Sequence, residues 1–414
     1  MAPSAETTLM LACCRPVRAP DRVSAIRQAG EHPFDPATLL THARNHRVEG
    51  FVLQGLTAAG IPLPDRQAAL LDDRARRARM QMLRNAAEEV RVTRALRDAG
   101  VDPVSLKGSS LAMLAHGTLA LKTTWDIDLL VHPAARAAAE AVLVALGYRA
   151  QVMDGRRSPR EIERHAVSIK EMAWHHPGRD TTVELHRALF DDRRLLPAIG
   201  TGSARAAVDL PGAGTVGTLA AGPLFAYLTV HGALHGWMRV KWLADLAGLI
   251  DARDDAVEDW YRAAVAAGAG RAPAVALSLS SRLLGTRLPE SVRREAARDR
   301  GVARFVTVAE TLIDGWSDET EGFQLTPGQQ IVLMTLPHRL GCGPGLRWRL
   351  LTAPLRRPHH PWHLKVPPAL LPLLILVWLP TRLVIRPLRL AARWLSATAG
   401  TSRAGHTARR PRIR

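Results

Sequence analysis

Apolar residues recur every three or four positions along most of the chain, and the spacing shortens only in its second quarter. Residues 5–60 carry short helical repeats separated by Gly, Pro and Asp. The pattern predicts one long helix over 64–98, because Pro64 and Asp65 suit a first turn and Gly100 suits an exit. After Gly100, short apolar runs at 101–106, 126–132, 148–153, 167–174 and 181–186 read as strands, with helices at 109–115 and 134–146 between them. Such alternation predicts a mixed sheet covered by helices. From about 218 to 340 the period is helical again. The expected class is α+β, a mixed-sheet core flanked by an N-terminal helical region and a C-terminal helical domain. The expected segments are 1–100, 101–215, 216–340 and 341–414.

Charge alters this picture at one end. The 414 residues carry a formal net charge of +18, a balance that suggests phosphate, nucleic acid or an anionic membrane as partner. Of the 56 basic residues, 15 lie after Glu321, where no acidic residue occurs; the 41 before it face 38 acidic ones. The body is nearly neutral and the tail basic. Residues 366–381 are uncharged and Leu-rich, but at 16 residues they fall short of the roughly 20 that span a bilayer, and four prolines interrupt them. Arg382, Arg386, Arg389 and Arg393 then form one stripe on a helix. That stripe reads either as a solvated face of a segment packed on the helical domain or as a peripheral contact with an anionic membrane. Cys13, Cys14 and Cys342 are an odd number with two adjacent, which is no disulfide framework and fits a reducing compartment. The N-terminus lacks the basic start of a signal peptide, so the expected location is cytoplasmic, with membrane association through the tail as an addition.

The candidate chemistry lies in 106–186. On a strand, residues two apart share a face, so Asp126 and Asp128 present two carboxylates together while Ile127 and Leu129 point to the core. Paired carboxylates suit hard divalent cations, and two such ions can clamp the oxygens of a phosphoryl displacement. Gly108-Ser109 ends a strand and opens a helix, which lets backbone N–H groups approach a phosphate. Glu184, with Val183 and Leu185 beside it, supplies a third acid on a later strand. Lys107 and Lys122 are two of only five lysines, and both fall inside this constellation, where they would neutralise triphosphate charge.

The order strand, Gly-Ser, helix, Asp-x-Asp strand, apolar-Glu-apolar strand resembles the nucleotidyltransferase superfamily of DNA polymerase β type. The run Leu106-Lys107-Gly108, Lys122-Thr123-Thr124-Trp125-Asp126-Ile127-Asp128-Leu129-Leu130-Val131 and Leu146-Gly147-Tyr148 is similar to its bacterial branch of uncharacterised nucleotidyltransferase proteins. The resemblance implies a nucleotidyltransferase core over 101–215. It implies that Asp126 and Asp128 bind Mg²⁺ (or Mn²⁺), with Glu184 as third acid and activator of the acceptor hydroxyl. It implies that Gly108 and Ser109, with Lys107 and Lys122, hold the phosphates of an NTP, and that Lys241 and Asp245 line the nucleotide cleft. The branch usually has arginine four residues before the first Asp; here Lys122 stands there.

The acceptor stays open: a small molecule, a peptide, a protein or an RNA end. Two other functions also stay open, a nucleotide-binding protein of the same fold without the chemistry, and a peripheral membrane or nucleic-acid binder working through the tail. His231 and His235 share a helix face and could ligate zinc, but no third ligand is evident, so packing is the expected role.

Overall fold

The computed structural model describes residues 3–151, 170–314 and 340–341; expectations for the basic tail and for Cys342 lie outside them. Helices α1 (Ala5–Cys13), α2 (Arg22–Gly30), α3 (Pro36–His46) and α4 (Glu49–Ala59) lead into the long α5 (Asp65–Asp98). Local chemistry sets the starts. Ser4 accepts from the Thr7 N–H, and Asp35 from the N–H groups of Ala37 and Thr38, with Pro36 in the first position of α3. α5 is 34 residues, about 50 Å, long. Its buried stripe is apolar at Leu71, Ala75, Ala78 and Met82, then turns polar at Gln81, Asn85, Glu88 and Glu89. Buried polar groups need partners: Asn85 reaches the Thr124 carbonyl, while Glu88 accepts from the Tyr148 hydroxyl and Glu89 from that of Ser105.

Among the described residues seven strands form one mixed sheet in the order β3-β4-β5-β2-β1-β7-β6. They are β1 (Val104–Ser105), β2 (Asp126–Leu130), β3 (Arg149–Ala150), β4 (Glu171–His176), β5 (Thr181–His186), β6 (Arg205–Leu210) and β7 (Gly214–Leu219). α6 (Gly108–His116) follows β1, and α7 (Arg136–Ala145) follows β2. β2 and β5 run parallel with Asp128 opposite Glu184; β4 and β5 run antiparallel with Glu171 opposite His186. Ile127, Leu129, Val183, Leu185, Met172 and Trp174 build one core with Val92 and Leu96 of α5 and Leu143 of α7. The period of two therefore puts Asp126, Asp128, Glu184, His186 and Glu171 on the opposite face.

Helices α8 (Ala221–Leu234), α9 (Val240–Asp251), α10 (Val257–Ala264), α11 (Ala272–Leu284), α12 (Glu290–Arg298) and α13 (Arg300–Asp314) follow. One hydrophobic cluster joins Leu9 and Phe51 of the first helices to Phe225, Leu246 and Leu277 of these last ones. Each such side chain removed from water stabilises by about 1.5–3 kcal/mol. The backbone N–H of Val240 donates to His46 Nδ1 at 3.3 Å, a tie between the same two regions. No helix among the described residues is long and apolar enough to cross a membrane.

The helical expectations at 64–98, 109–115 and 134–146 correspond to α5, α6 and α7. The strand at 101–106 is observed as the two residues of β1, and the one at 148–153 as Arg149–Ala150 of β3, its residues 152–153 lying outside the described range. The strand expected over 167–174 is observed as Glu171–His176, its first residues lying outside the described range. The hairpin β6–β7 over 205–219 was not foreseen. Its Ala, Gly and Thr residues offer little apolar alternation, and it is β1 pairing parallel to β7 that holds it to the sheet.

Candidate functional site

Parallel pairing of β2 with β5 carries Asp128 and Glu184 side by side on one face. Asp128, Glu184 and His186 each offer a ligand atom, all within 4.8 Å of one another. Asp128 is 3% exposed, and its Oδ1 has Lys107 Nζ at 2.9 Å and His186 Nε2 at 3.0 Å. His186 Nε2 is also 3.7 Å from Glu184 Oε2, and its Nδ1 is 3.2 Å from Glu171 Oε2. Glu171 in turn pairs with Lys170. Burial pushes the Asp128 carboxyl up, but Lys107 and His186 outweigh it and hold it well below the usual carboxylate range. Burial opposes charge on His186, yet Asp128 and Glu184 raise it above an ordinary imidazole. Glu184 is raised by burial and by the nearby Asp128, Glu171 and Asp126 charges. Asp126 lies at the mouth of the same face, half-buried, its Oδ1 accepting from Thr124 Oγ1 at 2.7 Å.

The Lys107-Gly108-Ser109 turn sits beside these carboxylates, because β1 pairs with β2 and the Leu106 N–H donates to the Asp128 carbonyl at 3.1 Å. Gly108 opens α6 with φ +67°, a left-handed conformation that a Cβ disfavours. Ser109 Oγ is buried beneath the turn, on the side of the Glu89 carboxyl.

Beneath the turn runs a chain of short contacts: Glu89 to Ser105 Oγ at 2.5 Å, Ser105 Oγ to Ser110 Oγ at 2.7 Å, and Ser110 Oγ to the Lys107 carbonyl at 3.0 Å. Ser105 Oγ donates to the Glu89 carboxyl, and burial, only partly offset by the Ser105 and Ser109 hydroxyls, pushes that carboxyl up to about 7. Its stabilisation is fully present below the unfolded value near 4.5 and is lost as pH rises through about 7. Glu89→Gln keeps an acceptor for Ser105 but removes the titrating group, so the variant should hold its urea-denaturation midpoint between about pH 5 and about pH 8 while the wild type loses roughly 1–3 kcal/mol. Parallel curves for the two proteins would contradict this.

A second buried cluster stands behind the loop. Lys122 Nζ is 2.6 Å from Asp245 Oδ2, and His116 Nε2 is 3.0 Å from Asp245 Oδ1. Lys122, Asp245 and His116 are all at most 8% exposed. Burial pushes Asp245 up, while Lys122 and His116 bring it below the usual range. Asn85 of α5 donates to the Thr124 carbonyl at 3.0 Å and Lys241 of α9 to that of Thr123 at 3.3 Å, which fixes the loop into β2 from two sides. Burial, then the charges of Arg47 and Lys122, lower Lys241 to about 7.

Of the residues expected at the site, the structure gathers Lys107, Gly108, Ser109, Asp126, Asp128 and Glu184 on one face. It pairs Lys122 with Asp245, and sets Lys241 of α9 against the loop into β2. His231 stands edge-on to Trp242, His235 lies tilted against it, and the two imidazoles are 4.7 Å apart; they belong to no metal-holding group among the described residues. Sequence reasoning passed over His186, Glu171 and Glu89. The two-residue spacing from Glu184 to His186 was the available signal for the first.

A model of the family described as uncharacterised nucleotidyltransferase matches residues 32–285. A search of curated proteins returns no match to the chain.

Proposed function

The chain belongs to the uncharacterised nucleotidyltransferase family, and from that premise we propose that it moves a nucleoside monophosphate from an NTP to an acceptor with release of pyrophosphate. One observation carries the proposal: Asp128 and Glu184 lie in register on neighbouring parallel strands beside the Lys107-Gly108-Ser109 turn. Oxygen-rich donors in this number suit Mg²⁺ or Mn²⁺, and Asp128 already draws the Lys107 ammonium and the His186 imidazole to one oxygen. Asp126, Asp128 and Glu184 would hold the metal, with His186 at their edge. Bound there, it would polarise the transferred phosphoryl group and offset triphosphate charge.

The chain's own residues supply the rest. The N–H groups of Gly108 and Ser109 at the start of α6 meet phosphate oxygens. The Lys107 ammonium neutralises phosphate charge. Glu184, raised toward neutrality, accepts the proton of the acceptor hydroxyl as that oxygen attacks the α-phosphorus. The bond from the α-phosphorus to the bridging oxygen breaks, and pyrophosphate leaves with both electrons. Lys122 and Asp245 act behind the loop, holding Thr124 and so Asp126, and Lys241 faces the same loop. The exchange of the branch's arginine for Lys122 then bears on packing more than on a phosphate contact.

The test uses NTPs labelled at the α-phosphate, with Mg²⁺ or Mn²⁺ and a panel of acceptors. Label should appear on an acceptor together with an equal amount of pyrophosphate. Nucleotide binding with no pyrophosphate from any acceptor would favour a regulatory protein of the same fold.

A further inference from the structure

In the free chain the oxygen that should meet a metal is already taken. Asp128 Oδ1 carries both Lys107 Nζ, at 2.9 Å, and His186 Nε2, at 3.0 Å. The lysine is not a distant surface group that happens to reach in: it is the residue immediately before Gly108, the N-cap of α6. Its side chain springs from the turn proposed to hold phosphate. The ammonium thus has two destinations within reach of one backbone position, the Asp128 carboxylate and a phosphate on the turn. The Lys107 side chain is 19% exposed against 1% for Asp128, so the lysine is the partner with room to move.

Resting on the function proposed above, we propose that Lys107 is an internal stand-in for the catalytic cation, and that the site accepts a divalent metal together with a nucleoside triphosphate rather than before it. A bare divalent ion approaching Asp128 finds the oxygen it needs already held by an ammonium and an imidazole, and must displace the ammonium before it can coordinate. A metal–triphosphate complex arrives with net negative charge. Its phosphates draw Lys107 off Asp128 onto the turn, and the freed oxygen turns to the metal. Lys107 is in this account a positioning residue for the metal and a contact for the nucleotide. Coupling between the two ligands is reciprocal: each strengthens the other's binding.

Such a role has a signature that a merely structural salt bridge lacks, because removing the charge moves the two affinities in opposite directions. The variant is Lys107→Gln in the full chain, whose amide still donates to Asp128 and so spares the fold. Mn²⁺ binding without nucleotide is read from the electron paramagnetic resonance of free Mn²⁺. ATP retention with saturating Mn²⁺ is read by equilibrium dialysis. Lys107→Gln should bind Mn²⁺ alone about tenfold or more tighter than wild type, and ATP more weakly. Lys107→Arg keeps the charge and should bind Mn²⁺ alone as weakly as wild type. Equal or weaker Mn²⁺ binding by folded Lys107→Gln, or tight Mn²⁺ binding by Lys107→Arg, overturns the stand-in. If wild type retains no ATP with Mn²⁺, the nucleotide site itself falls and the stand-in with it. If wild type retains ATP and only the Mn²⁺ pattern fails, the nucleotide site stands alone.

Discussion

Asp128→Asn should lower nucleotidyl transfer by about three orders of magnitude while leaving a cooperative fold. The side chain keeps its shape, so the packing around a residue 3% exposed is preserved. What it loses is the charge that gathers Lys107 and His186 on one oxygen. With that charge gone, Glu184, Glu171 and Asp126 remain on this face, but the residue at its buried centre no longer offers a carboxylate. A metal then has too few charged donors to hold against water. Lys107, partly exposed, can relax into solvent, which limits the cost to the fold. The assay is pyrophosphate release alongside a thermal melt. Near-normal turnover in the variant would remove Asp128 from the centre of the mechanism, whatever the melt showed.

The largest effect on stability should come from the other cluster. Asp245→Ala strands the Lys122 ammonium, 4% exposed, beside His116 with nothing to compensate it. Breaking a buried pair from one side costs roughly 3–5 kcal/mol. Little slack exists to absorb the change. A Cβ at Gly248 of α9 would meet the Ala115 carbonyl and the His116 ring at 2.8 Å, so α6 and α9 are in close contact there. His116 also stands edge-on to Phe51 of α4, ring centroids 5.0 Å apart. The same substitution should depress activity, because Lys122 leads through Thr124 to Asp126. Removing both charges with Lys122→Met and Asp245→Leu should recover much of the lost stability, since no charge is then left unpaired. An Asp245→Ala melt superimposed on wild type would show that the cluster does not anchor the loop.

How far these features were legible in the sequence depends on how local their causes are. Asp126 and Asp128 share a face by strand periodicity alone, and the glycine of Lys107-Gly108-Ser109 declares its own turn. Glu184 is recognisable from its apolar neighbours. His186 lies on the same face by the same rule, but becomes meaningful only when β4 sets Glu171 opposite it. Glu89 hides because Glu88-Glu89 in a charged helical stretch looks like a solvated pair; its burial follows from β1 lying against α5 and bringing up Ser105. Lys122 and Asp245 are 123 positions apart, and no spacing rule links them. The hairpin 205–219 shows the opposite failure, a local pattern too weak in apolar residues to announce a strand.

The central claim is that Asp126, Asp128 and Glu184, beside the Gly108-Ser109 turn, hold a metal–triphosphate complex. A crystal of the protein with Mn²⁺ and a non-hydrolysable ATP analogue tests it most directly, through the anomalous signal of the metal. The expected result is Mn²⁺ on Asp128 and its neighbouring acids, phosphates over Gly108 and Ser109, and Lys107 moved from Asp128 to a phosphate oxygen. Nucleotide bound elsewhere, or bound with Lys107 still on Asp128 and no metal on the carboxylates, would contradict the account.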